Sequence, residues 1–95
     1  MRVRWTRLAL RDLETIVDYV AKDNAAAATR MAHEIRQRLR LLADHPEIGR
    51  PGRIVGTREL MITGTSYIVP YRVRDGEVEI VAVFHGARRW PDAFD

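Results

Sequence analysis

The chain contains no cysteine. Disulfides and thiolate metal sites are therefore excluded, and a cytoplasmic location is the expectation. No apolar run approaches the length needed to cross a bilayer, so no membrane partner is expected. The first residues, Met1-Arg2-Val3-Arg4-Trp5, lack the long apolar core of a signal peptide. No glycine-rich phosphate loop occurs, because Gly49-Arg50-Pro51-Gly52 lacks the helix and the Lys-Ser/Thr pair that such a loop needs. His33 and His45 fall in different elements with no third ligand at metal spacing, so neither a metal site nor a cofactor is expected. Lysine is almost missing too. Lys22 is the only one among 16 basic residues, and the rest are arginine.

What remains is a small, mildly basic chain. Its 95 residues make one domain (1–95) with a modest core and a small margin of stability. A hydrophobic content of 46% is ordinary for a globular protein and too high for disorder. Arginine presents a planar fork that pairs with carboxylate and phosphate, and the net charge of +3 permits an acidic partner or RNA without requiring either.

Val3 and Trp5 suggest a short first strand. Thr6 is a plausible N-cap for a helix over about residues 7–22, in which Leu13, Ile16, Val17 and Val20 recur at helical spacing. Asp23-Asn24 breaks that helix, and either residue could cap the next. In the second helix Ala28, Met31, Ile35, Leu39 and Leu42 mark an apolar stripe, and Glu34 and Arg38 stand four apart as a surface pair. Pro46 stops the helix close to residue 44. The pair reads as an antiparallel helical hairpin. Residues 45–56 read as a loop. Strands follow over 57–62, over 67–73, and over 78–85, where Val78, Ile80, Ala82 and Phe84 share one face. Asp75-Gly76 is a two-residue hairpin turn. Pro70 cannot donate to a sheet ladder, so it belongs at a bulge or where its nitrogen faces no partner. The class is α+β, with a three-stranded meander covering the helical hairpin.

The landmarks Trp5-Thr6, Ile16-Val17-Asp18-Tyr19-Val20-Ala21, Leu42-Ala43-Asp44-His45-Pro46-Glu47-Ile48-Gly49-Arg50, Gly56-Thr57-Arg58-Glu59-Leu60, Tyr71-Arg72-Val73 and Val83-Phe84-His85-Gly86-Ala87-Arg88-Arg89-Trp90-Pro91 follow one another in order. Together they resemble the ParE/RelE superfamily of type II toxin–antitoxin toxins, and its ParE branch most. The resemblance implies a β-α-α-β-β-β fold with the helical hairpin packed on a small antiparallel sheet. It also implies a cognate antitoxin whose carboxyl-terminal segment wraps the toxin in a hetero-oligomer. ParE-like toxins are associated with poisoning DNA gyrase, and RelE-like toxins cut messenger RNA on the ribosome.

RNA cleavage needs a base, an acid and cations around the phosphate. Here His85, Arg58, Glu59 and Arg72 are the candidates. RNA-cutting relatives of the YoeB type carry an arginine in the third strand and a histidine near the carboxyl end. The matching strand position here falls near Ile68, and no histidine follows His85. Arg58 and Glu59 are neighbours and point to opposite faces of a strand. His85 is weighted toward a structural role, and the helical arginines Arg30, Arg36, Arg38 and Arg40 toward a solvated face. Arg58, Arg72, Arg88, Arg89 and Trp90 are the candidates for contact with the antitoxin or the target. Three readings follow: a gyrase-binding toxin with no catalytic site, which is favoured; a ribosome-dependent endoribonuclease; and a relative without toxicity that helps its antitoxin bind operator DNA.

Overall fold

The computed structural model describes residues 1–94. Strand β1 (Arg2–Trp5) leads into helix α1 (Arg7–Ala21) and helix α2 (Ala25–Arg40), which ends in a single 3-10 turn at Leu41–Ala43. Strands β2 (Arg50–Pro51), β3 (Arg58–Met61), β4 (Tyr67–Arg74), β5 (Glu77–Ile80) and β6 (Phe84–His85) complete the chain. The Thr6 hydroxyl caps α1 by accepting from the Ala9 N–H (3.1 Å), and the Asn24 side chain caps α2 by accepting from the Ala27 N–H (2.9 Å). Glu34 and Arg38 form the expected pair on the exposed face of α2.

The sheet runs β1-β5-β4-β3-β2, with β6 also on β4. The expectation of a wholly antiparallel sheet needs correction. Strand β1 pairs in parallel with β5, Val3 opposite Val78. Alternation marks a strand without naming its neighbour, and this neighbour is some 75 residues away. The predicted 45–56 loop likewise holds a short strand, because Arg50 lies opposite Glu59.

Helices and sheet close on one core. Leu13 and Ile16 from α1, Ile35 and Leu39 from α2, and Val69, Tyr71, Val78 and Ile80 from the sheet are all buried there. The β4–β5 hairpin is set by Asp75 (φ 54°) and Gly76 (φ 73°), the two left-handed residues of a type I′ turn.

The third meander strand is not continuous. Ile80 stands opposite Tyr71, but Phe84 stands opposite Ile68, so residues 81–83 face only residues 69 and 70. One extra residue makes a β-bulge and reverses which side faces the helices. Val78, Ile80 and Val83 enter the main core, whereas Ala82 and Phe84 join a second cluster with Val81, Trp90 and Phe94. The predicted single face holding both Ile80 and Phe84 is corrected accordingly. Pro70 brings no N–H to this place. The Val81 N–H donates to the Pro70 carbonyl (3.0 Å), the Val81 carbonyl accepts from the Thr6 hydroxyl (2.9 Å), and the Val83 N–H donates to Asp12 Oδ2 (2.9 Å). Two side chains from the start of α1 thus satisfy the bulge.

Candidate functional site

The sheet face away from the helices carries charge instead of core. Residues two apart on a strand share a face, so Arg72 and Arg74 from β4, Glu77 and Glu79 from β5, and Arg2 and Arg4 from β1 fall together. Glu79 is nearly buried. Its carboxylate accepts from Arg72 Nε (2.6 Å) and from Arg4 Nη2. A second group repeats this pattern two strands over, on β3. Glu59, 2% exposed, accepts from Arg50 Nη2 (3.0 Å), from Arg53 Nε (3.1 Å) and from the Arg53 backbone N–H (2.8 Å).

Burial on its own would raise both carboxyls. For Glu59 the Arg53 N–H and the Arg53 and Arg50 guanidiniums outweigh it, and for Glu79 the Arg72 and Arg4 guanidiniums do. Both acids are held below the usual carboxylate range. Each is a fixed anion that orients two cations.

The tail, residues 86–94, folds back over this face. The Arg53 guanidinium stacks on the Trp90 ring at 3.8 Å from its centroid, and Phe84 meets Trp90 edge-on at 5.0 Å. Phe94 and the Arg88 guanidinium also lie against Phe84. Among the described residues, the indole Nε1 of Trp90 is the one buried side-chain polar atom without a hydrogen-bond partner. Between tail and sheet lies a groove of about 730 Å³. Its walls include Arg72, Arg74, Arg88 and Arg89, and its apolar lining includes Trp90 and Phe94.

The four nuclease candidates do not share a site. Both Glu59 oxygens are taken by Arg50 and Arg53, and Arg72 is committed to Glu79. Arg58 donates to the carbonyls of Gly49 (2.8 Å) and Glu47 (3.3 Å), and it lines a small hollow with Arg72 and Val73. His85 lies elsewhere, in a hollow of about 350 Å³ against α1, shared with Asp12, Tyr19, Tyr67 and Arg88. Its Nδ1 accepts from the Ala87 N–H (3.1 Å), and its ring meets Tyr67 edge-on. Burial raises the carboxyl of Asp12 above the usual range, against the Val83 N–H and Arg88. Of the candidates for partner contact, Arg72, Arg88, Arg89 and Trp90 meet at the groove, and Arg58 lies beside it. No group of three His or acidic side chains suited to a metal ion occurs among the described residues.

Sequence reasoning passed over Glu79, Arg4, Arg50 and Arg53. A signal for Glu79 existed, because a two-residue turn at Asp75-Gly76 fixes Arg72 opposite Glu79. None existed for Asp12, whose partner is created by the bulge.

Comparison with known proteins bears on what this surface belongs to. The family model described as ParE toxin of the type II toxin–antitoxin system, parDE, matches residues 3–90. The chain belongs to this ParE toxin family. It is 46% identical over 90 residues to the Sinorhizobium fredii protein Y4kP, whose name marks it as a candidate toxin, covering 95% of this chain and 93% of that one. It is 40% identical over 87 residues to Toxin RelE2 of Caulobacter vibrioides, covering 92% and 97% of the two chains. Among solved structures it is similar to a chain of the chromosomal ParDE system from P. aeruginosa, with a TM-score of 0.81, 28% identity, and 90% and 95% of the two chains covered. As a ParE-family toxin it thus has relatives named for both branches of the superfamily. No helix among its described residues is long and apolar enough to cross a membrane.

Proposed function

We propose that this toxin arrests growth by binding a protein target, DNA gyrase in the cytoplasm, and has no catalytic site of its own. The observation that carries this reading is the dispersal of the nuclease set. His85 lines a hollow on the α1 side, whereas Arg72 lines the groove under the tail. Glu59 is a buried carboxylate that Arg53 and Arg50 hold below the usual carboxylate range, which suits it to hold arginines and not to take a proton. The choice of gyrase follows the ParE family assignment. A cognate antitoxin, bound through its carboxyl-terminal segment in a hetero-oligomer, neutralises the toxin. Solved relatives described as ParDE and as a toxin–antitoxin complex support that partner.

The deciding experiment sets two assays side by side with the purified chain: gyrase supercoiling, and cleavage of ribosome-bound message. Inhibition of supercoiling that survives His85→Ala is the expected result. Message cleavage abolished by His85→Ala would overturn the reading in favour of an endoribonuclease. Failure to arrest growth in the absence of antitoxin would overturn it in favour of a relative without toxicity.

A further inference from the structure

The tail lies on the sheet with few hydrogen bonds to hold it. Among the described residues, the last of them run from the Ala87 N–H to His85 Nδ1 (3.1 Å) and from the Arg88 N–H to the His85 carbonyl (3.0 Å). Beyond Arg88 the chain is fixed by ring contacts. Phe94 lies against Phe84, and Trp90 meets Phe84 edge-on while receiving the Arg53 guanidinium on its ring. The indole N–H has no acceptor among the described residues, so no hydrogen bond from it steadies the ring. Arg53 comes from a separate part of the chain, the loop between β2 and β3. Its Nε donates to Glu59 Oε2 (3.1 Å), its Nη2 to Oε1 (3.3 Å), and its backbone N–H to Oε2 (2.8 Å). A fork bound at two nitrogens has a fixed plane, and the face of that plane is what Trp90 covers. Glu59 is 2% exposed, so the anchor cannot follow the tail into solvent.

We propose that Arg53 is the positioning residue of the tail: anchored on Glu59, it holds Trp90 down and so sets how Arg88 and Arg89 are presented to gyrase. The proposal deepens the gyrase-binding reading above and rests on it for its consequence, though not for its geometry. A cation–π contact of this kind shifts the balance between closed and open tail by about two- to thirtyfold. Ordering the tail before it meets a target lowers the cost of binding, because its side chains are immobilised in advance. Arg50 provides the contrast. It also holds Glu59, but it is not the cation stacked on Trp90. Lysine at position 53 would keep the charge and lose the planar fork that both bridges the carboxylate and stacks on the ring.

The test is tryptic cleavage after Arg88 and Arg89 in the full chain, followed by mass spectrometry. Where reclosing outpaces cleavage, its rate follows the population of open tail. Arg53→Ala should speed this cleavage about threefold or more. Arg53→Lys should recover less than half of the effect. Arg50→Ala should leave the rate within about twofold of the native chain. Trp90→Leu keeps the Arg53–Glu59 pair whole and should match Arg53→Ala, and the double variant should add less than about twofold, because both changes remove one contact. Cleavage after Arg30 and Arg36 in α2 serves as the measure of global unfolding and should stay constant. Unchanged tail cleavage in Arg53→Ala, equal loosening by Arg50→Ala, or full additivity in the double variant would each overturn the proposal. Supercoiling inhibition is measured on the same preparations and should weaken about threefold or more in Arg53→Ala. Inhibition that Arg53→Ala leaves intact removes the positioning role alone. A native chain that does not inhibit gyrase removes the gyrase reading alone, and the cleavage rates still decide whether Arg53 anchors the tail.

Discussion

Replacing Tyr71 by Phe should expose how the site is held up. Tyr71 is fully buried, and its hydroxyl makes two hydrogen bonds into the turn after α2. It donates to the Pro46 carbonyl (2.7 Å) and accepts from the Gly49 N–H (2.9 Å). Gly49 is itself buried, and a Cβ there would lie 2.7 Å from the Tyr71 ring and hydroxyl, so the backbone approaches the ring as closely as glycine allows. Phe fills the same space without the oxygen. The Gly49 N–H is then stranded without water, at a cost of about 1–3 kcal/mol. The Pro46 carbonyl is less enclosed, and its loss adds about 1 kcal/mol. The sum is about 2–4 kcal/mol, against a total stability of roughly 5–15 kcal/mol for a domain of this kind. Urea denaturation followed by tryptophan emission should show a lowered midpoint with an unchanged slope. The consequence reaches the charged face, because the same turn receives the Arg58 guanidinium and leads directly into Arg50, which holds Glu59. A loss below about 0.5 kcal/mol, the level of an ordinary surface substitution, would refute the view that this hydroxyl pins the turn.

Three further outcomes follow from the same contacts. Thr6→Val removes both the cap of α1 and the donor to the Val81 carbonyl, and should cost about 1–3 kcal/mol by denaturation, with Thr6→Ser restoring most of it. Gly52→Ala would bring a Cβ to 2.9 Å from the Thr57 carbonyl oxygen, so β2 should separate from β3, read as faster amide exchange at Gly52, whose N–H donates to that oxygen. In acid, Glu59 and Glu79 have folded-state pKa values below their unfolded ones, so the stability they contribute is present above about 4.5 and is lost as pH falls through their folded values. Asp12, raised in the fold, acts in the opposite sense: its penalty at neutral pH is relieved as it protonates. A pH series of thermal midpoints should therefore flatten in Glu59→Gln with Glu79→Gln and steepen in Asp12→Asn.

The parts of this molecule that could be read from sequence are those whose partners are close in the chain or whose geometry is set by a turn. Thr6 and Asn24 cap the helices three residues on, and Asp75-Gly76 closes a hairpin whose register brings Arg72 to Glu79 without any further information. Pro70 announced an irregularity, and the bulge stands opposite it. What alternation could not supply was the extra residue itself. Val81, Ala82, Val83 and Phe84 are all apolar and all buried, so no polar position betrays where the parity reverses. Once it reverses, Phe84 leaves the main core and gives the tail a surface to cover. That one backbone insertion places Trp90 and Phe94 on the charged face and His85 on the other side, against α1, with Arg88 lining both hollows. A nuclease reading based on residue types was bound to count His85 and Arg72 together. The bulge and the return of the tail put them in separate cavities, so the chemistry depends on a register shift that residue types alone do not reveal.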